Sequence, residues 1–208
     1  MKEQIGIGRH KDVYVDSRKP DRIIAEFRGV KLDNEQIKSA YYLNKILHLL
    51  FPDNVPNVSA AGNAEKSYIE SQRIEHDPDH ENFQQIMLRQ KIVSGFSGRD
   101  VRDALTKRAK DLDVKTFVTK TREAGFIIDT GGINYSKMPG KPVKYLDLNP
   151  AWRYLDGSGK KTIFLNFNYE KLLDAINNLP LREKSIATPY FERLLDLVRQ
   201  KQEELDSI

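Results

Sequence analysis

The chain has 208 residues and no cysteine, with hydrophobic residues at 39% and charged residues at 31%, which excludes the disordered, fibrous and disulfide-stapled classes and leaves room for a core. Without thiolates, chemistry falls to carboxylates, hydroxyls, amines, imidazoles or a bound cofactor. The formal charge of +4 requires no polyanionic partner, and no apolar run reaches the ~18–20 residues of a membrane span or the stretch of a secretory signal, so the expected setting is cytoplasmic with no membrane partner.

Residues 3–30 read as three antiparallel strands, EQIGIG, DVYVD and RIIAEF, set between turn residues. Asp33 followed by Gln36 has the pattern of a capping box, and Ile37, Ala40, Tyr41, Leu43, Leu47 and Leu50 recur at helical spacing until Phe51-Pro52. Loose alternation over 54–74 suggests two further strands, giving the order β-β-β-α-β-β. HDPDHEN then reads as a loop. Its metal-capable side chains, His76, Asp77, Asp79 and His80, surround Pro78, which forbids a regular helix, and a solvated linker is expected rather than a metal site. Helical patterns follow over 81–92 and 99–124, ending at Gly125. FIID, INYS and VKYLDL are strand-like, 168–179 reads as helix, and 188–206 forms a closing helix with Pro189 near its start.

Charge is unevenly distributed. Residues 65–81 hold 2 basic and 6 acidic side chains, whereas 89–122 hold 10 basic and 4 acidic ones; the simplest expectation is a solvated loop followed by a solvated basic face.

Three segments carry the pattern that points to chemistry. Gly6-Ile7-Gly8, followed by Val13, forms a glycine-bearing strand turn able to lay backbone amides over phosphates. Asp129 and Asn134 stand at the spacing D-x-x-x-x-N, and Asp147 follows after a strand-like segment and a Pro-Gly turn. In this order the chain resembles the protein kinase-like superfamily, in particular its small atypical members of the aminoglycoside-phosphotransferase and RIO type.

The resemblance implies an α+β, two-lobed protein kinase-like fold. An N-terminal antiparallel sheet with one helix would occupy 1–75, and a mainly helical lobe 76–208. It further implies ATP and Mg2+ as cofactors and transfer to a hydroxyl on a protein partner, a small molecule or the chain itself. Asp129 would direct the attacking hydroxyl, Asn134 and Asp147 would hold magnesium, and Gly6, Gly8 and Val13 would cover the nucleotide.

The departures are specific. Lys11 stands at the third glycine position, and Ile23-Ile24-Ala25-Glu26 replaces the V-A-I-K strand, so the phosphate-pairing lysine is missing; Arg28 or Lys31 is the substitute to consider. The following helix has Glu35 only in its first turn and Ala40 where the lysine's partner would sit. Ile127 and Ile128 replace the histidine and arginine before the first aspartate.

Two alternatives follow: a catalytically degenerate pseudokinase serving as a binding module, and a basic nucleic-acid-interaction domain. The latter would stack bases on Trp152, Tyr154 and Phe164 among Lys141, Lys144, Arg153, Lys160 and Lys161. His48, in an apolar helix, is expected to pack, and Ser94, Ser97 and Ser136 show no triad pattern.

Overall fold

A computed structural model describes residues 2–7, 11–27, 32–61, 68–78, 81, 106–155 and 162–207. Strands β1 (Lys2–Ile7), β2 (Lys11–Asp16), β3 (Lys19–Phe27), β4 (Val58–Ala61) and β5 (Tyr68–Gln72) form one antiparallel sheet in the order β1-β2-β3-β5-β4. Helix α1 (Asn34–Leu50) intervenes between β3 and β4. The expected β-β-β-α-β-β order is therefore present, within a mixed α/β chain. Farther on come α2 (Leu112–Glu123), the hairpin β6 (Tyr135–Ser136) and β7 (Lys144–Tyr145), the hairpin β8 (Trp152–Leu155) and β9 (Thr162–Leu165), α3 (Tyr169–Asn177) and α4 (Leu181–Asp206).

Helix α1 starts where its cap dictates. Asp33 accepts a hydrogen bond from the Gln36 amide at 2.7 Å, and Gln36 accepts one from the Asp33 amide at 3.2 Å, the reciprocal capping box. Its apolar face joins two cores. Ile37 and Ala40 pack with Phe27, Val58 and Ile69 under the sheet, whereas Leu43, Ile46 and Leu47 enter a larger cluster with Val114, Phe117, Tyr135, Tyr145, Trp152, Leu172 and Leu194. Buried Ser39 and Asn44 on the same helix are satisfied by carbonyls, Gln36 O and Ala40 O, both at 2.7 Å. His48 makes a 2.7 Å contact from Nδ1 to the Val55 carbonyl, a structural tie at the helix end.

Two helical expectations change. The region 99–124 is not one helix: the described part is helical at 106–108, turns at 109–110, and restarts as α2 because Asp111 accepts from the Asp113 amide at 2.9 Å and caps a new N-terminus. It ends at Gly125, whose φ of +91° lets the chain reverse; a Cβ there would lie 2.7 Å from the Leu172 nitrogen. The closing helix begins at Leu181 rather than 188, placing Pro189 inside it. Burial of Ala187, Phe191 and Leu194 on either side of the proline outweighs the missing amide. The helix expected over 81–92 lies outside the described residues save Glu81.

The acidic link is not a solvated loop at its centre. Asp77 is 3% exposed and forms a two-pronged pair with Arg108, at 2.7 and 2.9 Å. Ser136 Oγ donates to the same carboxylate at 2.8 Å, the Lys137 amide at 3.0 Å, and Arg108 also reaches the Tyr135 carbonyl at 2.9 Å. Acidic link, basic segment and β6 thus meet at one buried charge pair. Burial alone would raise the Asp77 carboxyl, but the Lys137 amide, the Ser136 hydroxyl and Arg108 outweigh it and hold it below its ordinary value. A group so depressed contributes stability that is complete above the ordinary value of 3.8 and is lost as pH falls through the folded value. Arg108→Met, which leaves the carboxylate buried without its cation, is expected to cost about 3–5 kcal/mol in denaturant unfolding at neutral pH, with the deficit shrinking on acidification.

Candidate functional site

A cleft of about 720 Å³ runs between the sheet and the segment Leu146–Leu148, closed at one end by the link 72–76. Ile5, Val13, Ile23, Ala25, Ile74 and Leu148 give it apolar walls, and Gly6, Lys11, Asn44, Glu75 and Asp147 supply polar groups. An apolar slot with a few convergent polar groups is the usual form of a small-molecule site.

The hairpin register builds the site's polar end. Tyr135 pairs with Tyr145, and the Leu146 amide donates to the Asn134 carbonyl at 2.8 Å. Asn134 and Asp147 therefore leave the same end of one hairpin, although 12 residues separate them in sequence. Asp129 approaches from the preceding loop. Its Oδ1 accepts from the Gly131 amide at 2.8 Å, and its carbonyl accepts from Tyr135 Oη at 2.6 Å. A Cβ on Gly131 would lie 3.3 Å from Asp129 Oδ1 and 3.6 Å from Asn134 Nδ2, so these two side chains flank that glycine. Burial first, and then the charges of Asp129 and Asp147, hold the Tyr135 phenol well above its ordinary value; burial, Asp147, Tyr135 and Asp129 do the same at Tyr145. Both carboxylates thus bear on one buried tyrosine pair, whose ring centroids are 5.4 Å apart.

Among the described residues no three His, Asp or Glu side chains gather into a self-sufficient metal centre. The carboxylate of Asp147 and the amide oxygen of Asn134 are hard oxygen donors of the kind magnesium takes when phosphates and water complete its shell, so the donor set fits that ion.

On the sheet side, Gly6 is buried and Val13 faces the cleft opposite Ala25. Gly8 and Arg28 lie outside the described residues, as does Lys31. Alternation along β3 sends Ala25 and Phe27 inward and Glu26 outward, where Glu26 accepts from Lys2 Nζ at 2.6 Å. The expected lysine position is thus held by Glu26 on the outer face, and the next inward residue, Phe27, joins the buried cluster of Ile37 and Ala40. Glu35 turns away from the cleft and pairs with Lys201 of α4 at 3.2 Å.

A cation that reaches the cleft beside Asp147 is Lys11. Its Nζ donates to Asp147 Oδ1 at 2.8 Å, with only 15% of its side chain exposed. The same Oδ1 accepts from the Leu148 amide at 2.9 Å. The signal for Lys11 was available in the two-residue period of β2: Lys11 shares a face with Val13, already assigned to the cleft.

The stacking platform expected of a nucleic-acid domain is absent from Trp152, which is fully buried and packed in the larger core. Tyr154 donates to Asp33 at 2.7 Å, and Phe164 is covered by the Arg153 guanidinium at 4.7 Å.

No protein-family model matches the chain, and no curated protein sequence does. Among solved structures, the chain is similar to WbdD in a co-crystal with a kinase inhibitor: 12% identity, 91% of this chain, 44% of that chain and a TM-score of 0.38. The chain thus spans less than half of that protein. No described helix is long and apolar enough to cross a membrane.

Because Tyr135 Oη fixes the Asp129 carbonyl from a fully buried ring, Tyr135→Phe is expected to destabilise the chain by about 1 kcal/mol in chemical denaturation. Faster amide exchange around 129–131 should accompany it. Unchanged exchange there would separate Tyr135 from the positioning of Asp129.

Proposed function

We propose that the cleft binds ATP as its magnesium complex and that the chain transfers the γ-phosphoryl group to a hydroxyl on a protein, a small molecule or itself. The observation that supports this most is the hairpin register, which sets Asn134 at the same hairpin end as Asp147, a residue lining the apolar cleft, while Asp129 and Asn134 flank Gly131.

In this reading the apolar walls receive the base, the link 72–76 borders it, and Gly6 and Val13 lie over the nucleotide. Asn134 and Asp147 hold magnesium, which supplies neutralisation of phosphate charge when bound. Asp129 orients the acceptor hydroxyl and takes its proton as the hydroxyl oxygen bonds to the γ-phosphorus. The bond from that phosphorus to the β–γ bridging oxygen breaks, and ADP leaves. Such transfer is mostly positioning and electrostatics, and the fixed Asp129 loop and hairpin suit it. A second reading, nucleotide binding without transfer, draws on Glu26 and Ala40, which stand where the Lys–Glu pair is expected: Glu26 faces outward to Lys2 and Ala40 is buried in the apolar cluster.

Calorimetric titration with Mg-ATP is expected to show Asp147→Asn weaker than wild type by about tenfold or more, and Asp129→Ala nearly unchanged. With labelled ATP and a competent acceptor, Asp129→Ala should lower transfer by about 10²–10⁴-fold. Equal affinity in Asp147→Asn would overturn the metal assignment; transfer retained in Asp129→Ala would overturn the catalytic one. Binding without transfer in wild type, across protein and small-molecule acceptors, favours the second reading.

A further inference from the structure

Resting on the nucleotide cleft proposed above, we infer that Lys11 on β2 is the cation that binds the nucleotide phosphates, in place of a lysine on β3, and that it reaches them by exchanging Asp147 for phosphate. Three independent features of the sheet lead there.

The first is the register. Phe27 is the inward-facing residue two positions after Ala25, and it is 8% exposed in the core beside Ile37 and Ala40. A lysine there would meet an apolar helix face with no acidic partner. The residue paired with Phe27 across the strands is Lys11, whose Cα in an antiparallel ladder lies about 5 Å away. Glu26, at the expected lysine position, faces outward and pairs with Asp12, so the cation at this end of the sheet stands on β2, one row beyond it.

The second is confinement. A lysine at a strand end ordinarily extends into water, since ordering its stem costs rotamer freedom and an exposed ion pair returns little. Lys11 is instead held mostly buried against a carboxylate 136 residues away, from the opposite wall of the cleft. Asp147 is the residue assigned to magnesium, so the ammonium stands beside the place where metal and phosphates would meet. A compact charge on a flexible stem can change partners without backbone movement: ammonium passes from carboxylate to phosphate oxygen as the carboxylate takes the metal.

The third is the position of the other cleft cation. Among the described residues lining the cleft, Lys11 and Arg73 are the lysines and arginines. Arg73 lies on the link, its amide bonded to the Asp21 carbonyl at 2.8 Å. Asp21 and Phe27, the partner of Lys11, are six residues apart on β3, or ~20 Å along an extended strand. Arg73 thus borders the base end and Lys11 the phosphate end.

The test compares adenosine, ADP and ATP, the nucleotides with magnesium, by calorimetry on wild type, Lys11→Met and Lys2→Met. Lys2 lies on the outer face of the sheet and serves as control for a lost lysine charge. Lys11→Met is expected to bind adenosine like wild type and to lose about tenfold or more toward ADP and ATP, while Lys2→Met follows wild type throughout. Independently of any variant, an ATP derivative acylated on its terminal phosphate is added to the wild-type protein. The lysine amine beside the phosphates attacks the acyl carbon, forming an amide and releasing ATP, and peptide mass spectrometry locates the mark. The mark is expected on Lys11. Equal ATP affinity in Lys11→Met, or a mark confined to other lysines, overturns this inference and leaves the nucleotide cleft standing. Failure of wild type to bind all three ligands overturns both.

Discussion

A buried carboxylate must be answered by donors, and Asp77 sets that requirement at the point where the sheet's chain enters the rest of the molecule. It is answered by a guanidinium in forked geometry, a hydroxyl and a backbone amide. Two of those donors, Ser136 and Lys137, belong to β6 or follow it directly. The link that closes one end of the cleft and the hairpin that carries Asn134 and Asp147 are therefore fastened to each other by one charge pair. Removing either charge leaves the other stranded in low dielectric, so the arrangement is held by the cost of its alternatives more than by a net gain from the pair.

Helix α1 imposes the complementary constraint. Its first turns pack under the sheet and its last turns enter the core built by α2, the hairpins and α4. Lys201 of α4 contacts Glu35 at 3.2 Å and Glu204 at 2.7 Å; burial opposes its charge, but Glu204, Glu35 and Tyr154 outweigh it and raise it above its ordinary value. The helix start is thus anchored to the far end of the chain, and α1 cannot tilt without disturbing both cores. The buried cluster of Phe27, Ile37 and Ala40 accords with that anchoring: α1 is positioned by packing.

Legibility followed the range of the interactions concerned. The strand order, the capping box at Asp33 and the end of α1 at Phe51 depend on residues within a few positions of each other, and periodicity and capping chemistry reveal them. So does the break at Asp111, in hindsight, since an N-cap residue inside an apolar repeat is a local signal. Asp77 and Lys11 are not legible in the sequence because their environments are made by remote partners, Arg108 for the first and Asp147 for the second, whereas Trp152 packs in the core as aromatics most often do. Charge runs and aromatic clusters look the same in sequence whether water or protein surrounds them. For the candidate site, the spacing of Asp129, Asn134 and Asp147 was visible, whereas their juxtaposition depends on the Tyr135–Tyr145 pairing, which no spacing encodes.

The electrostatics of the cleft's polar end join these points. Burial first, and then Asp147 and Asp129, hold the Tyr135–Tyr145 phenols above their ordinary values, so the charge of this region is carboxylate charge. A polyphosphate approaching such a region meets repulsion unless cations intervene, and Lys11 is already held there at 2.8 Å from Asp147. In the proposed reading a divalent ion entering with phosphate takes the place of Lys11 at Asp147. The sheet, in that reading, thus carries its cation on β2 while Phe27, in the neighbouring row, stays in the apolar cluster under the sheet.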